Sequence, residues 1–158
     1  GRVVKRLAPR DLTAGRTLPT RVHGVILISA LDLPALRTLG FARATRLTSL
    51  TAVTLDFDPA ATKRLREDWR AAALPVDLTV LGTPQGAQVE NILEYVRSLR
   101  SLHPGDIVMV FIPRVLSTGV WQRFFVRHSE PRIISALRLE KGVVISEVPY
   151  QLEADEEE

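Results

Sequence analysis

Arg114, Arg123, Arg127 and Arg132, together with His128, crowd the stretch from residue 114 to 132 around Ser117 and Thr118. A guanidinium donates two parallel hydrogen bonds and suits a phosphate. A Ser or Thr that caps a helix leaves backbone N–H groups aimed at an anion. The chemistry on offer is therefore anion binding. The competing reading is a solvated basic helix face, preferred for Arg123 and for Arg138; Arg127, His128 and Arg132 flank Pro131 and stay open to either. Other chemistries find no support. His23, His103 and His128 have no metal-ligand spacing. No phosphate-binding P-loop, no Ser/His/Asp set and no paired carboxylates stand out. Cysteine is absent, which removes disulfides, thiolate metal sites and cysteine nucleophiles. No enzyme and no cofactor are expected. Nucleic-acid binding is not expected either, because the positive charge lacks interleaved aromatics. Trp69 and Trp121 are read as core or interface residues rather than stacking platforms.

The elements that must position these groups alternate between strand and helix. Val25–Ile28 is a short apolar run, as in a parallel strand covered on both faces. A helix opens at Asp32, with Pro34 in its first turn. Leu50–Leu55 is a second strand, and Asp58-Pro59 caps a helix over Ala60–Ala73. In that helix Leu65, Trp69 and Ala72/Ala73 share a face. Val76–Leu81 is the third strand. Thr83-Pro84-Gln85-Gly86 belongs to a loop, and Val89, Ile92, Leu93, Val96 and Leu99 mark a third helix. His103-Pro104-Gly105 stops it. Asp106–Pro113 is a central strand. Gly119–Leu139 is a helix broken near Glu130-Pro131, and Gly142–Val148 is the fifth strand. With right-handed crossovers this order predicts an α/β fold, a three-layer open parallel sheet with strand order 3-2-1-4-5. Its switch point lies between strands one and four, where open α/β sheets bind ligands at their carboxyl ends.

At 158 residues the chain is one domain's worth. No apolar run reaches the roughly 18–20 residues of a membrane span. The net charge of +3 is segregated: setting aside the five acids of residues 153–158 leaves +8. Three regions are expected: a basic linker over 1–21, an α/β domain over 22–152 and an acidic, disordered tail over 153–158. The opening Gly1 suggests a fragment of a longer protein. The basic leader admits a solvated arm, a nucleic-acid contact, an anionic-lipid contact or the cytoplasmic flank of a membrane helix.

Several segments, taken in order, carry a resemblance. They are "TLPTRVHGVILISALDLPALRTLGFARATR" (Thr17–Arg46), the strand and cap Ala52–Asp58, "NILEYVRSLR" (Asn91–Arg100), "VMVFIP" (Val108–Pro113), "SALRL" (Ser135–Leu139) and "SEVPYQL" (Ser146–Leu152). Over Leu18–Leu152 the chain resembles the cytosolic C-terminal domain, of universal-stress-protein fold, that follows the membrane part of permeases of the amino-acid/polyamine/cation (APC) superfamily, KimA-like potassium importers among them.

The resemblance implies a non-catalytic regulatory domain at the cytoplasmic face of the cell membrane, tethered to its own permease domain. The transported solute would be potassium or an amino acid. It also implies a homodimer that senses a nucleotide second messenger, cyclic di-AMP first. Ligand contacts would come from Ser29, Leu31 and Asp32 after strand one, from Asp56 after strand two, and from Arg114, Ser117, Thr118, Arg127, His128 and Arg132. For Asp32 the alternative is helix capping, and for Asp56 strand-end solvation. Two other functions remain in play: a ligand-free dimerisation scaffold, and an ATP- or AMP-binding stress-type domain. The last is disfavoured, because Ile112–Gly119 holds one glycine where the nucleotide-binding relatives carry two before a later Gly-Ser/Thr. The chain also departs from the family pattern at Thr83–Gly86, at Arg114-Val115 and at Gly119-Val120-Trp121.

Overall fold

A computed structural model describes residues 21–82, 87–116 and 131–151. Five parallel strands form one sheet: β1 (Val22–Leu27), β2 (Ser49–Leu55), β3 (Leu78–Leu81), β4 (Ile107–Leu116) and β5 (Val143–Gln151). Their order is β3-β2-β1-β4-β5, as the alternating pattern predicted. Four helices connect or flank them among the described residues: α1 (Leu33–Ala44), α2 (Pro59–Ala72), α3 (Gln88–Arg100) and α4 (Pro131–Leu139).

Neighbouring residues on each strand face opposite layers, both covered by helices, which is why the central strands carry continuous apolar stretches such as Val25–Ile28 and Ile107–Ile112. Ile26, Ala52 and Phe111 turn to one face, under Ala35, Leu39 and Ala42 of α1 and Leu65 and Trp69 of α2. Val25, Val53 and Val110 turn to the other, under Ile92 and Val96 of α3 and Ile133 and Leu137 of α4. The result is three layers.

Local chemistry sets the helix ends. The Asp32 carboxylate accepts from the Ala35 N–H at 2.9 Å and opens α1. The Asp58 carboxylate accepts from the Ala60 N–H at 3.1 Å and opens α2 behind Pro59. Helix α2 buries Thr62, Leu65 and Trp69, whereas Ala72 and Ala73 are exposed, because the helix closes there with Ala73 in the left-handed region at φ 48°. The Trp69 indole N–H donates to the Val76 carbonyl at 2.8 Å, which satisfies the ring's polar edge and fastens α2 to the approach to β3.

Two strands run on past their expected ends. Strand β4 continues through Arg114 and Val115 to Leu116, residues expected in a loop, because β5 accompanies it from Val108↔Val143 to Leu116↔Gln151. Proline inside a central strand would cost a ladder bond. Pro113 escapes that cost. The Ile107 N–H bonds Arg21 of the β1 side and the Val108 N–H bonds Gly142 of the β5 side. By alternation Pro113 faces the β1 side, where the ladder has already ended at Ile26↔Phe111.

Candidate binding site

The ends of three ladders define a gap at the switch point. Strands β1 and β4 part after Ile26↔Phe111. Strand β1 stays with β2, pairing Leu27 with Val53 and sending the Ile28 N–H to the Val53 carbonyl at 3.0 Å. Strand β4 stays with β5 for five more residues. The walls of the gap are therefore Ile28–Ser29 on one side and Ile112–Val115 on the other. The alternation that placed Pro113 also turns the Val115 N–H toward the gap. This is the carboxyl-end position that open α/β sheets use for ligands.

Of the residues expected at a ligand, Ser29, Leu31, Asp32, Asp56 and Arg114 lie at or just beyond the carboxyl half of the strands. Ser29 and Leu31 are half-buried on the segment between β1 and α1, where Leu31 packs on the core. Asp32 follows, turned to its capping bond with Ala35. Asp56, directly after β2, accepts from the Thr62 hydroxyl at 2.8 Å. Arg114 sits on β4 beside Glu147 of β5, with Nη1 2.9 Å from Oε2. Arg138 of α4, expected on a solvated face, reaches the same carboxylate, with Nη2 3.3 Å from Oε1. Arg132 lies exposed in the first turn of α4. Ser117, Thr118, Arg127 and His128 lie outside the described residues, as do Trp121, the 83–86 loop, residues 1–20 of the leader and the acidic tail.

The charge at this end is mixed. Asp32, Asp56 and Asp58 stand at the strand ends, and Glu147 offsets part of the charge of Arg114 and Arg138. No group of three or more His, Asp or Glu residues able to hold a metal occurs among the described residues.

At the amino end of the sheet the fold builds a cluster that the sequence did not reveal. The His23 Nε2 lies 2.9 Å from Oδ2 of Asp106, and Nδ1 lies 2.8 Å from Oγ of Ser49. A carboxylate only accepts, so Nε2 carries a proton, and the Ser49 hydroxyl suits Nδ1 in either charge state of the ring. The three residues stand near the starts of β1, β2 and β4 and tie those strands together. Asp106 is buried. The His23 hydrogen bond, aided by the charges of His23 and His103, holds its carboxyl below the usual carboxylate range against the opposing effect of burial.

A depressed carboxylate stabilises the fold above its ordinary titration range, and that contribution is lost as pH falls through the lowered value. Acidification from pH 5 to pH 3 is thus expected to lower the melting temperature. Asp106→Asn should melt lower at pH 7 and lose less on acidification. Parallel melting curves for the two proteins across that window would show that Asp106 is not the group responsible.

No curated protein matches this chain. The family described as the KimA potassium transporter C-terminal domain matches residues 21–150, from the residue before β1 to the penultimate residue of β5. A match that runs through all five strands of the sheet places the chain in the family of KimA potassium transporter C-terminal domains.

Proposed function

We propose that this domain is the cytosolic regulatory part of a potassium transporter and that it binds cyclic di-AMP as a dimer. The gap between β1 and β4 is the observation that carries the proposal. It lies where this class of sheet takes ligands, and it leads from Leu116 directly into the Ser117–Arg132 stretch. A cyclic dinucleotide has two phosphates and near two-fold shape. A two-fold interface supplies Arg127, His128, Arg132 and the N–H groups near Ser117 twice over, one set for each phosphate. Regulation follows by mass action: a ligand that prefers one domain arrangement shifts the transporter toward it.

Thermal unfolding with cyclic di-AMP, cyclic di-GMP, cyclic AMP, ATP and AMP tests this. A ligand at 100 times its dissociation constant adds about 2.7 kcal/mol, or roughly 5–10 °C at this size. We expect that rise for cyclic di-AMP alone, and its loss when Arg127, His128 and Arg132 are neutralised. The Arg114–Glu147 ion pair favours one rival, a dimerisation scaffold without a small ligand, because it balances a cation counted toward the site. A flat panel with a dimer that survives the triple substitution would support the scaffold.

A further inference from the structure

The amino end of the sheet, opposite the gap, carries a surface whose composition differs from the rest. Leu102, just past α3, is 87% exposed, and Leu139, the last residue of α4, is 89% exposed. These are the most exposed large apolar side chains among the described residues. They belong to one face, because the turns that bear them are fastened together. The Arg97 guanidinium donates to both carboxylate oxygens of Glu140, at 3.0 and 2.8 Å, and Arg100 Nη1 donates to the Lys141 carbonyl at 2.8 Å.

The same end is positive. Arg21, Arg46 and Lys141 lie in its connecting segments, outside any helix, and are exposed. Its acids are mostly matched already: Asp106 is held by His23 and Glu140 by Arg97, with Asp77 exposed at the β3 side. Placement of basic residues in last helical turns has an ordinary cause in the helix dipole. That cause does not reach Arg21, and it does not explain the two bare leucines on this end.

The chain also enters the domain here. The Arg21 carbonyl accepts from the Ile107 N–H at 2.9 Å, so the 20 preceding residues join at this end. In a transporter C-terminal domain the membrane part lies on that side in sequence. We infer that this amino-end face docks on an anionic lipid surface, with Leu102 and Leu139 entering the headgroup boundary and Arg21, Arg46 and Lys141 facing the lipid charge. Apolar insertion beside a basic rim is the combination that holds peripheral proteins on anionic bilayers. The inference rests on the family placement and not on ligand binding, since the test contains no nucleotide.

The test uses the whole 158-residue chain and flotation with vesicles of phosphatidylcholine, pure or with phosphatidylglycerol. The basic leader is common to every variant, so the leucines decide the outcome. We expect binding to the anionic vesicles alone, reduced roughly tenfold in Leu102→Ser/Leu139→Ser. Because the chain has no native cysteine, Leu102→Cys or Leu139→Cys takes a polarity-sensitive dye cleanly. The dye should blue-shift on anionic vesicles at both positions, and not at Glu67→Cys on α2. Equal flotation of the double variant and the parent would overturn the inference and leave the leader as the lipid contact. Unshifted dyes at 102 and 139 would overturn it too, and would point to a protein surface as the partner.

Discussion

Phe111→Ala should lower the melting temperature by roughly 8–15 °C, the largest single effect expected in this domain. Phe111 is fully buried on β4, between β1 and β5, and among the described residues it is the largest of the side chains with no exposure. It packs under α1 with Ile26, Leu39 and Ala42. The Phe41 ring meets it edge to face, with centroids 6.1 Å apart and planes at 67°. Truncating a buried phenylalanine costs about 3–5 kcal/mol, through lost transfer energy and the cavity left behind. A domain stable by about 5–15 kcal/mol loses a large share of that. Phe41→Ala is the natural control. That ring is half-exposed, so its removal should cost about a third as much, the edge contact included. Melting curves for the two variants check the ranking, and a Phe41 variant less stable than the Phe111 variant would contradict the assignment of the core to the α1 side.

Gly142→Ala is the second large effect, expected at roughly 3–5 kcal/mol. Gly142 has φ +77°, in the left-handed region, where an L-residue with a side chain is strained by about 1–2 kcal/mol. The larger cost is steric. A Cβ at this position overlaps the guanidinium of Arg100. That guanidinium cannot step aside cheaply, because it donates to the carbonyls of Asp106 at 2.7 Å, Pro104 at 2.5 Å and Lys141 at 2.8 Å. One side chain thereby joins the end of α3, the loop before β4 and the turn before β5. Arg100→Met keeps most of the apolar stem and removes the donors. If the overlap is the cause, Gly142→Ala in the Arg100→Met background should cost only the backbone strain. Additive losses in the double variant would refute the coupling.

The strand order and layering were legible because the central strands carry apolar runs of parallel-sheet type and the first two crossover helices open on capping residues, Asp32 and Asp58. What the sequence hid was register. The run Asp106–Pro113 looks complete by its apolar residues, and only pairing with β5 shows that Arg114 and Val115 continue the strand. Arg114 reads as a loop cation for the same reason; its neighbour Glu147 lies 33 positions away and meets it through a cross-strand alignment that no local pattern encodes. His23 looked unremarkable at the start of a strand. Its partners Ser49 and Asp106 are 26 and 83 residues distant, and they join it because three parallel strands start level. The placement of Ser29, Leu31 and Asp32 after β1 and of Asp56 after β2 was legible, since it follows from topology alone. Their hydrogen-bond commitments, such as Asp56 to Thr62, depend on side-chain geometry and did not show.

The position of β1 has a mechanical consequence. The chain enters through the start of the middle strand, which is paired in parallel over five residues with β2 and over five with β4. A pull along the leader acts along that strand, across hydrogen bonds lying transverse to the load. Such bonds share the force and fail together, whereas a strand peeled from an edge gives them up one at a time. Tension between the preceding chain and this domain is therefore met in shear, by ten residue pairs at once, and the domain can move as a rigid body under a load that would unravel an edge-tethered sheet.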